Sequence, residues 1–182
     1  MFARRARPAP TAVRPFDTTD LLVNLADLPE GWRVSEDSPS RILDYLTGRD
    51  PATASPASRI VFVVEPYRAW YEAAHSVYRF PTRAAAQHVY ERHGLGETPP
   101  EWTDPGAHAD ATRFLCRALQ GEPALTYCAW SATYQEYYVE FDAALVPGKM
   151  SLVDVARIVQ AIDEKMLCHV VGAGDPPCKG GN

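Results

Sequence analysis

The chain contains no run of the ~18 apolar residues that a helix needs to cross a bilayer. It also contains no nucleophile elbow, phosphate loop, dinucleotide fingerprint or HExxH pair, so the common motif-bearing hydrolases, nucleotide-binding enzymes and zinc proteases are not indicated. Glycine is sparse beside proline, 11 against 16, which gives stiff connections rather than floppy ones. Basic residues are scarce outside the N-terminus. Arg4, Arg5, Arg7 and Arg14 against Asp17 give the first 19 residues a charge of +3, so a total of −5 leaves −8 on the remainder. An acidic body excludes the clustered Lys and Arg of a nucleic-acid groove. The apolar stretch of an export signal is missing too: Pro8, Pro10, Arg14 and Pro15 stand where it would lie.

What is present is a chain of 182 residues with 46% hydrophobic content, enough for one domain with a real core. Residues 1–18 are basic, Pro-rich and aperiodic, and are expected to be a disordered arm able to touch anionic lipid heads. Residues 19–169 form the expected domain, and 170–182 a flexible tail. Thr19 or Asp20 caps a short helix carrying Leu21, Leu22, Leu25 and Leu28. Trp32–Ser35, Arg59–Glu65 and Trp70–Phe80 read as strands, and Thr82 caps a helix over Arg83–His93.

The richest stretch is Asp110–Val146, which reads as three antiparallel strands, Ala111–Leu119, Ala124–Ala132 and Glu136–Val146. A three-residue loop at Gly121–Pro123 pairs Gln120 with Ala124, and stepping outward sets Cys116 opposite Cys128. Opposed residues have Cβ atoms roughly 4.5–5.5 Å apart, close to disulfide range; two free buried thiols are the alternative. Cys168 and Cys178 form a second possible pair. Two pairs point to an oxidising, extracytoplasmic compartment. Ser151 with Asp154 near-matches a capping box, and Leu152, Val155, Ile158, Val159, Ile162 and Met166 recur at helical spacing. The expected fold is therefore α+β: an antiparallel sheet of about six strands in α-βββ-α-βββ-α order, with the helices mainly on one face and the other face wet.

Leu28-Pro29-Glu30-Gly31-Trp32, following a short helix, resembles the LPxGW opening of many extracytoplasmic bacterial lipoproteins. The order of elements over Thr19–Cys168 is similar to the Mog1/PsbP-like sandwich and to extracellular sensor domains of bacterial receptor kinases, which tend to carry paired disulfides. The chain departs from the lipoprotein pattern in having no lipobox cysteine near its N-terminus. The resemblance implies a non-enzymatic binding or accessory role and carries over no catalytic residue.

On the helix Arg83–His93, His88 and Glu91 share a side, but His93 is ~140° away from His88, so one helix cannot aim both histidines at a metal. Cys168, His169 and Cys178 lack a fourth ligand for structural zinc. Neither a metal nor a cofactor is expected. Glu136, Glu140 and Asp142 share a strand face and can do acid–base work if buried, but that face is the one expected to be wet. Tyr127, Trp130, Tyr134, Tyr137 and Tyr138 form an aromatic concentration, with Trp102 in the long loop before it. Trp130, Tyr134, Tyr138 and Trp102 are the candidate face for a protein partner, with Trp130 and Tyr138 together on the wet side. Three functions follow in order: an extracytoplasmic interaction module, an accessory subunit of an envelope complex; a small-molecule carrier or sensor with its pocket under the loops 37–58 and 94–109; and a hydrolase pairing a carboxylate with a histidine.

Overall fold

The computed structural model describes residues 18–35, 57–65, 72–92, 96–119 and 125–171. The N-terminal arm, residues 36–56, the Gly121–Pro123 loop, His93 and Cys178 lie outside them. The described elements are strands β1 (Trp32–Val34), β2 (Ala57–Val64) and β3 (Glu72–Arg79), helix α1 (Arg83–Arg92), strands β4 (Ala111–Leu119), β5 (Leu125–Tyr134) and β6 (Tyr137–Leu145), and helix α2 (Leu152–Val171). The strands form one antiparallel sheet in the order β1-β2-β3-β6-β5-β4. The α+β sheet expected from the sequence is therefore the fold. Two three-strand meanders meet where β3 pairs with β6.

One face carries the main core. Val155, Ile158, Val159, Ile162 and Met166 of α2 are at most 1% exposed and pack with Phe62, Val77, Trp130, Val139 and Phe141. The capping box starts this helix as expected: Asp154 N donates to Ser151 Oγ at 3.2 Å and Ser151 N donates to Asp154 Oδ2 at 3.0 Å. The predicted N-terminal helix is instead two 3-10 turns, Thr18–Leu21 and Leu25–Asp27. Asn24 between them is extended, and its backbone N–H is taken by Asp27 Oδ2 at 2.8 Å. Such local side-chain bonds compete with helix continuation.

Contrary to expectation, the opposite face is not wet. Helix α1 lies there, with Thr82 Oγ1 accepting from Ala85 N at 3.2 Å at its start. Ala86 and Tyr90 pack on Ala57, Tyr78, Phe80 and Tyr138, and the Tyr90 hydroxyl donates to Thr112 O at 2.6 Å. Ala74, Ser76, Asp142 and Ala144 on this face are buried as well.

The expected disulfide is present. Cys116 and Cys128 are register partners with Cα atoms 4.1 Å apart and are bonded. Cys168 is also disulfide-bonded. Outside Cys116, residue 97 bridges the edge of β4, with Glu97 N donating to Cys116 O at 3.1 Å and Cys116 N to Glu97 O at 2.8 Å. Gly96 has φ +140°, and a Cβ there would sit 2.7 Å from Cys116 O, so this close approach requires glycine.

The segment leading into β1 is held by buried polar groups. Val23 N donates to His75 Nδ1 at 3.0 Å, Lys165 Nζ donates to Leu22 O at 2.5 Å, and Trp32 Nε1 donates to Lys149 O at 3.0 Å. His75 is fully buried, and burial, aided by the Lys165 charge, lowers its pKa to about 3. Between about 3 and its ordinary value only the unfolded chain binds that proton, so stability must fall as pH drops through this window. His75→Asn keeps an acceptor for Val23 N. Its urea midpoint is expected to fall less steeply than the parent's between pH 6.5 and 4; parallel curves would show that His75 does not couple to folding.

Candidate functional site

On the face that carries α1, the register builds cross-strand rows. Arg59, Ser76, Glu140, Ser131 and Arg113 form one. The next contains Val61, Ala74, Asp142, Ala129 and Leu115. Two carboxylates on the central strand β6 thus stand side by side, flanked on both sides by serine or alanine. Strand alternation puts residues i and i+2 on one face, roughly 7 Å apart, so both acids face the same way.

Their environments differ. Asp142 is 8% exposed and accepts a short hydrogen bond from the Tyr127 hydroxyl. Glu140 is half-buried, and among the described residues its side chain has neither a hydrogen bond nor an ion pair. Burial, then the neighbouring Asp142 charge, raises the Glu140 pKa to about 7 against the pull of Arg59. Burial raises Asp142 to about 6, opposed by the Tyr127 bond and Arg59 and aided by Glu72. Burial and the Asp142 carboxylate push the Tyr127 phenol strongly upward, so it remains a donor. Arg59 Nε is buried with no hydrogen-bond partner. Arg113, at the far end of the row, is engaged: it donates to Tyr90 O at 3.3 Å and lies over the Tyr90 ring at 4.6 Å. Arg117 lies 5.9 Å over the Tyr127 ring. The face can therefore hold or release protons near neutrality. The sequence reading named Glu140 and Asp142 but placed them in water; burial overturns that.

A second polar cluster sits on the α2 side. Asp163 is 2% exposed and accepts from the Tyr134 hydroxyl at 2.7 Å; its Oδ2 lies 2.6 Å from His108 Nδ1. The His108 backbone N–H is 3.3 Å from both carboxylate oxygens. With Asp163 as acceptor, His108 Nδ1 carries the proton. Trp130 Nε1 donates to Asp104 Oδ1 at 3.3 Å. These bonds fasten the loop 96–110 to the core and to α2. The sequence reading missed Asp163. Its signal was a charge directly after Ile162 and four residues after Val159, inside the apolar stripe of α2.

The predicted aromatic interaction face is not formed. Trp130 and Tyr138 are fully buried and Tyr134 is 3% exposed. Trp130 pairs with Phe141, so it lies on the α2 face, whereas Tyr138 lies under α1, 5.8 Å from Tyr78. Trp102 is half-buried and stacks on Phe114 at 3.6 Å. Glu136 is apart from the acid pair, bonded to Arg79 at 3.2 Å. His75 points to the opposite face from Glu140 and Asp142, and His169 bonds the Tyr137 hydroxyl at 2.8 Å. Among the described residues no three His, Cys, Asp or Glu side chains converge as metal ligands, and no helix is long and apolar enough to cross a membrane.

Comparison with family models, curated proteins and solved structures yields no match. The class is thus architectural: a six-stranded antiparallel α+β protein with a buried aspartate and a half-buried glutamate side by side on its central strand.

The raised carboxyl pKa gives a signed prediction. Below its ordinary value Glu140 is protonated in both states; above about 7 the folded protein must bear the buried charge, and stability is lost as pH rises through that range. Glu140→Gln should match the parent near pH 4 and exceed it by roughly 3 kcal/mol at pH 8, for a rise from 4.5 to about 7 at about 1.4 kcal/mol per pKa unit. Chemical denaturation at both pH values measures this, and an equal difference at the two would contradict it.

Proposed function

We propose that this protein is a non-enzymatic, extracytoplasmic small-molecule carrier or sensor, with its ligand seated on the sheet face that presents Glu140 and Asp142. One observation carries the reading: Glu140 and Arg59 share a row of that face, separated by Ser76, and neither side chain has a hydrogen bond or an ion pair among the described residues. Even half-burying a carboxylate without a partner costs part of its hydration. A sheet that only had to fold would fill this row with apolar side chains, as it does on the α2 face, and perturbed acids gathered in one place mark functional sites. The Cys116–Cys128 disulfide supports an oxidising compartment. The resemblance of residues 28–32 to lipoprotein openings and of the element order to sensor domains supports the same setting. An accessory subunit docking through Trp130, Tyr134 and Tyr138 is less favoured, since all three are buried.

Thermal shift against a library of charged small molecules at pH 7.5 tests the proposal. A ligand at one hundred times its Kd stabilises by about 2.7 kcal/mol, or roughly 5–10 °C for a chain of this size. The expected result is one chemical class giving such a shift in the parent and none in the folded Glu140→Gln, Asp142→Asn double variant. Shifts that persist in the double variant, or none with any charged class, would refute it.

A further inference from the structure

The row Arg59–Ser76–Glu140–Ser131–Arg113 alternates in charge: a guanidinium at each end, a carboxylate at the centre and a serine in each gap. Its two halves are not equivalent. Arg113 is occupied by the Tyr90 carbonyl and ring. Arg59 has no such engagement, and its Nε is buried without an acceptor. Arg59 and Glu140 are two strands apart, so their Cα atoms are about 9–10 Å from each other, and no ion pair closes that gap. Opposite charges that face the same space and stay apart are each half-buried without a partner, and each gives up part of its hydration for nothing in return.

We infer that the ligand is a small zwitterion of the amino-acid class, its ammonium group set against Glu140 and Asp142 and its carboxylate against Arg59, spanning Ser76. The inference rests on the small-molecule reading above and narrows it. An ammonium group offers three donors, matched by two carboxylates and the serine hydroxyls beside them. A guanidinium offers a planar fork suited to a carboxylate. A zwitterion satisfies both ends while adding no net charge to a half-buried row, which a lone amine or a lone carboxylate cannot do. Tyr127 fits the arrangement: its hydroxyl occupies one side of Asp142 and holds that carboxylate on the face where the ammonium would lie.

The test uses the full chain at pH 7.5, with the twenty proteinogenic amino acids, β-alanine and γ-aminobutyrate as probes in thermal shift and calorimetry. Each hit is compared with its C-terminal amide and its N-acetyl derivative. At least one free amino acid is expected to bind, with both derivatives at least ten-fold weaker. Arg59→Gln should bind acid and amide alike, and Glu140→Gln should bind free and acetylated amine alike. Arg59→Lys, which keeps the charge, should retain part of the preference for the acid, and circular dichroism confirms that each variant is folded. Equal binding of acid and amide by the parent would overturn the zwitterion. A lone amine or lone carboxylate that binds the parent and loses affinity in Glu140→Gln would reject the zwitterion while leaving the small-molecule site standing. If none of these probes binds, the zwitterion is overturned, and the small-molecule reading falls only if the wider charged library also gives no shift.

Discussion

The pairing of β6 between β3 and β5 is the constraint from which the structure follows. Among the described residues the β3–β6 pairing joins the two meanders, and most side chains on both faces of β6 are buried. Tyr137, Val139, Phe141 and Ala143 meet the α2 layer, while Tyr138, Asp142 and Ala144 are buried on the other side. A slip of one residue would exchange these sets, placing two acids in the aliphatic core under α2. The register is secured on both flanks. Cys116–Cys128 locks β4 to β5, and the tight turn at residues 135–136, with Gln135 at φ 52° and its N–H bonded to Asp110 Oδ2 at 2.7 Å, locks β5 to β6.

The two helices answer different needs. α2 supplies an apolar stripe, interrupted by Asp163, which gathers His108 and Tyr134 and so fixes the loop before β4. α1 covers only the Tyr78–Tyr138 end of its face. The rows beyond it carry serine, alanine and the acid pair rather than large apolar side chains. The sheet therefore has one face built for stability and one whose composition departs from that purpose, which is where local rules are expected to give way to function.

Much of the fold was legible. Loop length and cysteine spacing placed Cys116 opposite Cys128, and helical periodicity with Ser151 and Asp154 located α2. The order and antiparallel character of the strands followed from punctuation by Gly and Pro. The covering of the faces was not legible. Alternation of apolar and polar residues along β6 looks the same whether the polar side meets water or a buried site, since sequence records side-chain type and not what lies above it. The parity of Trp130 was lost for a related reason: a two-residue turn pairs it with Phe141, opposite to the face shared by Tyr138. Arg59 read as the polar start of an apolar strand, and only the register across β3 reveals its alignment with Glu140.

Asp142, buried, and Glu140, half-buried beside it, share one face of the sheet, and that shared burial is what raises both carboxyls. Carbon-13 NMR titration of the side-chain carboxyls in the ligand-free protein tests it most directly. Glu140 should titrate near 7, raised in part by the Asp142 charge, and Asp142 near 6. Two independent transitions near 4, the ordinary range for solvated carboxyls, would contradict it.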